Sequence, residues 1–275
     1  MIDVRLSSPA HELVFESFGI ALAVGAETAE LLERVIELLP PGWRPSTSES
    51  VSLRLALTGD APGRYGVSRD GSAPSGEIEL YHALRLLEAQ LQEYVALYAH
   101  ERIFVHAGAV EHGGKAIVVP GFSLSGKTTL IRALVRAGAT YYSDEFAVLD
   151  HEGLVHPYAR RLSIRAEDLT QTEHSIESLG GIAGVRPIPV GLVVATTYRP
   201  GSLWEPRHLT SGQGVMAVLA HTVPARDRPE ESLQTVSRAL AGADVLEGPR
   251  GEADALAELL LEAAASPPAE ARQHP

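Results

Sequence analysis

One stretch of the sequence restricts the fold more than any other. Residues 121–128, GFSLSGKT, fit the pattern G-x-x-x-x-G-K-[ST] at every position. The apolar run AIVV precedes this stretch, and the helical pattern TLIRALVRAG follows it. In such a context the backbone N–H groups of the loop can point at phosphate oxygens, at the positive end of the helix. The stretch therefore predicts a strand, a phosphate-binding loop and a helix in that order.

Each polar residue type of this loop has an expected part in holding a nucleotide. Lys127 is expected to reach the β and γ phosphates, and the hydroxyl of Thr128 is expected to ligate Mg²⁺. The alternative is a chance glycine-rich turn, which the flanking strand and helix patterns disfavour. The expected nucleotide-binding residues are Gly121, Ser123, Leu124, Ser125, Gly126, Lys127, Thr128 and Thr129.

An acidic pair, Asp144 and Glu145, follows the predicted helix. The helix is expected to end at Gly138, and ATYY then indicates a strand that returns parallel beside the strand of the loop. Ligands of open α/β sheets lie at the carboxyl ends of strands, so Asp144 is expected near the terminal phosphate. A carboxylate there can hold Mg²⁺ or accept a proton from an attacking hydroxyl. The alternative is a solvated turn, where acidic residues are common.

A histidine is expected beside the same loop. The stretch RIFVHAGAVEHGGKAIVVPG predicts two strands joined across Gly113 and Gly114, and a two-residue hairpin sets His106 opposite Gly121. A slip of one residue would turn this histidine to the other face of the sheet. A lone histidine is also common as a structural or surface group, and the spacing alone leaves both interpretations open.

Composition excludes several classes of function. The chain has 23 basic and 35 acidic residues and a formal charge of −12, which disfavours nucleic acid and anionic membranes as partners. It has no cysteine, which excludes disulfides and thiolate chemistry. No apolar run reaches the roughly 18 residues of a membrane span, and the first residues do not resemble an export signal. A cytoplasmic location is expected.

The patterns along the chain predict two domains and a tail. Residues 1–100 mix strand and helix patterns, with an alternating strand at 51–57 and a long amphipathic helix at about 78–99. The segment 60–76 is expected to be a loop or a weak hairpin. Residues 101–265 alternate short strands and helices, which favours a layered α/β core. Residues 266–275 have little to bury and are expected to be disordered.

From Arg102 to Arg165 the chain resembles the catalytic domain of the HPr kinase/phosphorylase family, which includes kinases of lasso-peptide gene clusters. The residues that carry the resemblance are His106, about fifteen positions before Gly121, the glycine loop itself, and SDE in place of an ADD-like acidic pair. The second acid is Glu rather than Asp, and the loop departs from the GxSGxGKS style. Residues up to 265 match loosely, and residues 1–100 do not match.

The resemblance implies a P-loop-containing α/β catalytic domain that transfers phosphate from ATP, with Mg²⁺, to a hydroxyl, typically a serine of a protein or peptide. It implies Asp144 as general base, Glu145 as a second residue at the metal and His106 at the γ phosphate. It also implies a homo-oligomer. The smaller α+β domain at 1–100 is expected to select the acceptor, because it lacks the resemblance.

Arginines of the run YARRLSIR can supply positive charge to the transferred group. Arg165 is the strongest of these candidates, because Leu162 and Ile164 face the other way on the predicted strand. Together with Asp144, Glu145 and His106 it completes the expected catalytic set.

Other functions stay open at this stage. An ATP-sensing regulator would need the loop without transfer, and a kinase of a small-molecule hydroxyl would need the same site. A transporter-type ATPase is disfavoured, because Asp-Glu precedes the signature-like LTSGQG rather than following it. A metal hydrolase is disfavoured, because the histidines form no H-E-x-x-H or similar cluster.

Overall fold

The structure is a computed structural model that describes residues 9–61, 63–122, 125–160, 162–165 and 171–265. For residues 60, 61, 77, 162–165 and 171–173 it describes the backbone alone. The chain divides into two compact units, Met1–Glu101 and Arg102–Pro275. The segment 266–275, expected to be disordered, lies outside the described residues.

In the first unit, the described residues form a six-stranded sheet and two helices. The strands are β1 (His11–Ser17), β2 (Ile20–Ala26), β3 (Arg44–Pro45), β4 (Leu53–Ala61), β5 (Arg64–Arg69) and β6 (Ser75–Ile78). Their spatial order is β3-β1-β2-β4-β5-β6. The helices are α1 (Ala29–Ile36) and α2 (Leu80–Tyr98). The make-up of this unit is therefore α+β.

Three local predictions for the first unit can be compared with the structure. The alternating pattern forms β4, and its Leu53, Leu55 and Leu57 are buried. The helix predicted at about 78–99 is α2, which begins two residues later and ends one residue earlier. The segment 60–76 contains β5, which pairs antiparallel with β4, so the hairpin interpretation is correct.

In the second unit, the described residues form an eight-stranded mixed sheet, a two-stranded sheet and four helices. The strands are β7 (Ile103–His112), β8 (Lys115–Pro120), β9 (Thr140–Ser143), β10 (Phe146–Leu149), β11 (Val155–His156), β12 (Leu162–Arg165), β13 (Gln171–His174), β14 (Val190–Tyr198), β15 (Arg207–His208) and β16 (Asp244–Arg250). The helices are α3 (Lys127–Arg136), α4 (Ser211–Leu219), α5 (Pro229–Ala239) and α6 (Ala253–Ala265). The large sheet has the order β11-β10-β7-β8-β14-β16-β15, with β9 on β7.

Helices cover both faces of the large sheet. Ile117 of β8 packs in one core cluster with Leu130 of α3 and Leu256 of α6. Its neighbour Val118 packs in a second cluster with Val218 of α4 and residues of α5. Because successive side chains of a strand point to opposite faces, α3 and α6 lie on one face, and α4 and α5 lie on the other. The layered α/β core predicted from the sequence is confirmed.

One predicted pairing is wrong, because β9 does not lie beside β8. The strand β7 lies between them and pairs antiparallel with both, through Gly108 with Val119 of β8 and through Ala109 with Ser143 of β9. The hairpin occupies one edge of β8, and β14 pairs parallel with the other, so both edges are already filled. Because β8 and β9 both run antiparallel to β7, their carboxyl ends still lie at the same edge of the sheet.

The longest helix of the described residues, α2, spans 19 residues. No helix in the described ranges combines the length and the apolar character that crossing a membrane would require.

Candidate functional site

The glycine loop connects β8 directly to α3, as the sequence predicts. Gly126, the N-cap residue of α3, has φ of 84°, a left-handed conformation that glycine adopts without strain. A Cβ at Gly121 would lie 2.7 Å from Oγ of Ser125, so this glycine permits two parts of the loop to approach closely. Ser123 and Leu124 lie outside the described residues.

Lys127 is the first residue of α3 and is only 7% exposed. Its Nζ donates a hydrogen bond of 2.9 Å to the carbonyl oxygen of Phe122. Burial lowers the pKa of this amine, and the carboxylates of Glu145 and Asp144 act in the opposite direction. The amine and the N-terminus of α3 together concentrate positive charge at the loop, which favours an anion there.

The carboxylate of Asp144 is buried and accepts hydrogen bonds at both oxygens. The hydroxyl of Thr128 donates to Oδ2 at 3.0 Å, and the hydroxyl of Tyr141 donates to Oδ1 at 2.9 Å. Burial raises the pKa of Asp144, and the bonds from Tyr141 and Thr128 oppose that shift. The structure therefore brings together one residue of the loop, Thr128, and one residue of the acidic pair, Asp144. Both offer oxygen atoms, which suit a hard cation.

The residues at this point fit Mg²⁺ in the manner of a nucleotide site. Hydroxyl and carboxylate oxygens are the ligands that Mg²⁺ prefers, and it commonly takes only one or two protein groups besides phosphate oxygens. Thr128 and Asp144 supply such a pair. In the described part of the chain, no cluster of three or more His, Cys, Asp or Glu side chains could hold a metal ion by itself.

The acidic pair interrupts a longer line of strand. β9 and β10 both pair antiparallel with β7, and Asp144 and Glu145 form the break between them. Oγ of Ser143 accepts hydrogen bonds from the N–H of Glu145 at 3.1 Å and of Phe146 at 3.0 Å. The N–H of Ala107 donates to the carbonyl oxygen of Glu145 at 3.2 Å. These bonds hold the pair in a fixed bend at the loop's edge of the sheet.

His106 lies beside the loop in the register that the hairpin predicts. Ala107 pairs with Pro120, and the N–H of Gly121 donates to the carbonyl oxygen of His106 at 2.9 Å. Nδ1 of His106 lies 4.0 Å from Oε1 of Glu145. Burial lowers the pKa of His106, and the nearby positive charge of Lys127 adds to this effect. The neutral imidazole is therefore favoured.

Two other predicted residues are less defined. Thr129 lies in the first turn of α3, and its side chain is exposed. Arg165 ends β12, where it pairs with Gln171 of β13, and only its backbone lies within the described structure. The catalytic part expected of Arg165 stays a prediction.

The sequence interpretation missed His221, which follows α4. Its ring centroid lies 4.4 Å from that of Phe122, and its carbonyl oxygen accepts a 2.8 Å hydrogen bond from the N–H of His106. Burial lowers the pKa of its imidazole, and Lys127 contributes in the same direction. Its Nδ1 is buried and has no hydrogen-bond partner among the described residues. No sequence motif surrounds it, and only the pairing of the chain after α4 with β7 brings it here.

The sequence interpretation also missed Arg250, the last residue of β16. It is 3% exposed, and its Nη2 donates a 2.9 Å hydrogen bond to the carbonyl oxygen of Gly126. Nη1 donates to the carbonyl oxygen of Gly251 at 3.1 Å, and the guanidinium lies 5.3 Å from the ring centre of Tyr198. Burial lowers the pKa of Arg250, and Glu252 acts in the opposite direction. A buried cation thus contacts the loop immediately before Lys127.

Comparisons with known proteins give no match in sequence and a distant likeness to solved structures. No protein-family model matches the chain, and no curated protein matches it in sequence. Among solved structures, the chain is similar to the Hpr(Ser) kinase/phosphatase from Coxiella burnetii, with 15% sequence identity and a TM-score of 0.35. The alignment covers 58% of this chain and 94% of that chain. A TM-score this low does not establish a shared fold, so the likeness carries no argument about the site.

Proposed function

We propose that this chain is an ATP-dependent kinase that transfers the γ-phosphate to a hydroxyl group of a protein or peptide. The observation that carries the proposal is the hydrogen bond from Thr128 to Asp144 at the foot of the glycine loop. If the glycine loop were a chance turn, a buried carboxylate would not be expected to accept a hydrogen bond from the hydroxyl of Thr128, the residue after Lys127. In a loop for nucleotide phosphates this bond is expected, because the two oxygens suit the cation that accompanies ATP.

The loop and its surroundings are suited to the triphosphate. The first N–H groups of α3 and the amine of Lys127 offer positive charge, and Lys127 can leave the carbonyl of Phe122 for a phosphate oxygen. Mg²⁺, bound with the nucleotide, supplies neutralisation of charge on the β and γ phosphates. Thr128 and Asp144 are the residues that would hold it.

The two acids divide the remaining work, and we assign the division opposite to the one that the family resemblance implies. Asp144 accepts hydrogen bonds at both oxygens, one of them from Thr128, and we assign it as the carboxylate that would hold Mg²⁺ together with Thr128. Glu145 has a side chain 37% exposed, its Oε1 lies 4.0 Å from Nδ1 of His106, and its carboxylate acts to raise the pKa of Lys127. We therefore assign Glu145 as the general base that takes the proton of the acceptor hydroxyl.

His106 completes the side of the terminal phosphate. Its neutral imidazole, held against the loop by the backbone bond to Gly121, can donate one N–H to a phosphate oxygen. The transfer then depends on position and charge: the hydroxyl oxygen bonds to the γ-phosphorus, its proton passes to Glu145, and ADP leaves.

The test combines nucleotide binding with transfer. Calorimetry is expected to show that the unchanged protein binds MgATP and that Lys127→Ala binds it with an affinity lower by about tenfold or more. With γ-labelled ATP and an array of serine peptides, the unchanged protein is expected to label peptides. Binding of MgATP without transfer to a peptide or to free serine would favour a nucleotide-sensing protein, and an unaltered affinity of Lys127→Ala would contradict the assignment of the loop.

A further inference from the structure

A pocket of about 710 Å³ lies against the beginning of the glycine loop. Phe122 lines it on the side of the loop, Ala217 of α4 and His221 line another side, and Thr196 belongs to the carboxyl end of β14 that closes it. Its volume lies within the range of about 300–1,000 Å³ that is typical of ligand sites. None of the residues to which we assign a part in phosphoryl transfer, apart from the loop itself, lines this pocket.

A second pocket of about 470 Å³ continues from the first along α4. The two share Arg207, Ala217 and Glu247 as lining residues, and the second extends past Met216. Together they form one elongated depression, here called the α4 groove, between α4 and the strands β15 and β16. An elongated depression suits a stretch of extended chain better than it suits a compact small molecule.

The α4 groove begins at the end of the loop that would face the terminal phosphate. The amine expected to meet the β and γ phosphates, Nζ of Lys127, bonds to the carbonyl oxygen of Phe122. Phe122 in turn contacts His221, whose backbone bonds to His106. Thr128 and Thr129, at the other end of the loop, do not line the groove. The group that receives the phosphate can therefore enter from the groove.

The charges of the groove balance. Arg207 forms an ion pair with Glu247, and the other charged lining residues, Arg199 and Glu205, have opposite signs. Most of the remaining lining is apolar or small, and the rim carries Met216, which is 65% exposed. Exposed methionine is typical of surfaces that accept varied peptide side chains. A groove of this kind favours an uncharged, partly apolar segment over a highly charged one.

We infer that the α4 groove binds the peptide segment that carries the acceptor hydroxyl, with the serine or threonine beside Phe122 and the neighbouring residues along α4. This inference rests on the proposed function. It names the substrate as an extended peptide with uncharged flanks, which neither the loop nor the acidic pair specifies.

The experiment narrows the groove without substituting any residue that is expected to bind the nucleotide. Ala217→Trp places a large side chain where the two pockets meet, and Ala220→Phe does so in the first pocket, at an exposed position that tolerates bulk. Leu233→Trp, on α5 and 47% exposed, adds similar bulk outside both pockets and is the matched control. The probes are MgATP, free serine, and an array of serine-centred peptides with uncharged, acidic or basic flanks.

The expected result is a loss of about tenfold or more in kcat/KM for peptides in both groove variants, with MgATP affinity unchanged and Leu233→Trp like the unchanged protein. Peptides with uncharged flanks are expected to be the best substrates. Folded groove variants that label peptides normally would overturn the inference, as would labelling of free serine but of no peptide. Normal peptide labelling in the groove variants would leave the proposed function intact, and labelling of free serine alone would restrict the acceptor to a small-molecule hydroxyl. An unchanged protein that binds no MgATP would contradict the proposed function first.

Discussion

The hydroxyl of Thr128 donates a 3.0 Å hydrogen bond to Oδ2 of Asp144, although 16 positions separate the two residues. The rest of the helix α3 and the strand β9 lie between them in sequence, and the sheet brings the end of β9 to the edge where the loop leaves β8. This contact joins the two motifs that the sequence shows separately. The further assignments of the metal side and of the base depend on it.

Neutral substitutions of Asp144 and Glu145 are expected to affect phosphate transfer in different ways. Asp144→Asn should raise the Mg²⁺ concentration needed for half-maximal transfer, because it weakens the group that adjoins Thr128. Glu145→Gln should leave that concentration unchanged and lower kcat by about 10²- to 10⁴-fold, the usual range for a general base. Titrations of Mg²⁺ at saturating ATP measure both effects. The opposite pattern would return the base to Asp144.

Asp144 also makes a prediction for stability. Its pKa in the folded state is raised, mainly by burial, so its ionised form is disfavoured there. The stability it contributes is therefore present at acidic pH and lost as pH rises through the folded pKa. We expect Asp144→Asn to raise the free energy of unfolding at pH 7, with the gain shrinking towards pH 4. Urea denaturation across this range measures it.

Asp150 provides a control of opposite sign. Burial acts to raise its pKa, but hydrogen bonds from His156 and from the N–H of Leu154 outweigh it, and the pKa is lowered. Asp150→Asn should therefore lower the free energy of unfolding at pH 7, with the loss shrinking as the pH falls. The same sign for both variants would contradict the account of Asp144.

Arg250 is expected to shape the loop. Arg250→Gln removes the guanidinium that bonds to the carbonyl of Gly126, and we expect about tenfold weaker binding of both MgATP and inorganic tripolyphosphate. Arg250→Lys keeps the charge and should fall between. Arg226→Gln, an exposed arginine outside the groove and the loop, is the matched control. A folded Arg250→Gln protein with unchanged affinity would leave this residue without a part in binding.

His106 gives a dependence of stability on pH. The pKa of His106 is lowered in the folded state, mainly by burial. At acidic pH its imidazole therefore binds a proton more readily in the unfolded chain than in the folded chain. The free energy of unfolding should thus decrease as pH falls below about 6.5, the ordinary pKa of histidine. His106→Asn should reduce this decrease, and His208→Gln, on the exposed strand β15, is the matched control. An unchanged slope in His106→Asn would contradict the burial argument.

Local motifs of the sequence predicted much of the site. The loop, the hairpin register of His106 and the long helix α2 all follow from residues close together in the chain, where turn chemistry and periodicity determine the result. The placement of β9 does not. Whether a strand pairs with β8 or with β7 depends on which edges are already occupied, and no local pattern records that.

His221 and Arg250 show the same limit at the level of side chains. Each lies in an ordinary stretch, and each reaches the loop because a distant element ends at the same edge of the sheet. β16 runs parallel to β14, which runs parallel to β8. The carboxyl end of β16, where Arg250 lies, is therefore at the same edge of the sheet as the loop. That order of strands is a property of the whole sheet.

The central claim is that the loop and the acidic pair form one phosphoryl-transfer site. It is tested by labelling with γ-labelled ATP, combined with calorimetric measurement of MgATP binding on the same samples. The account predicts that the unchanged protein labels serine peptides and that Glu145→Gln keeps its MgATP affinity while losing about 10²-fold or more of the labelling. Equal labelling by Glu145→Gln, or an unchanged protein that does not bind MgATP, would contradict it.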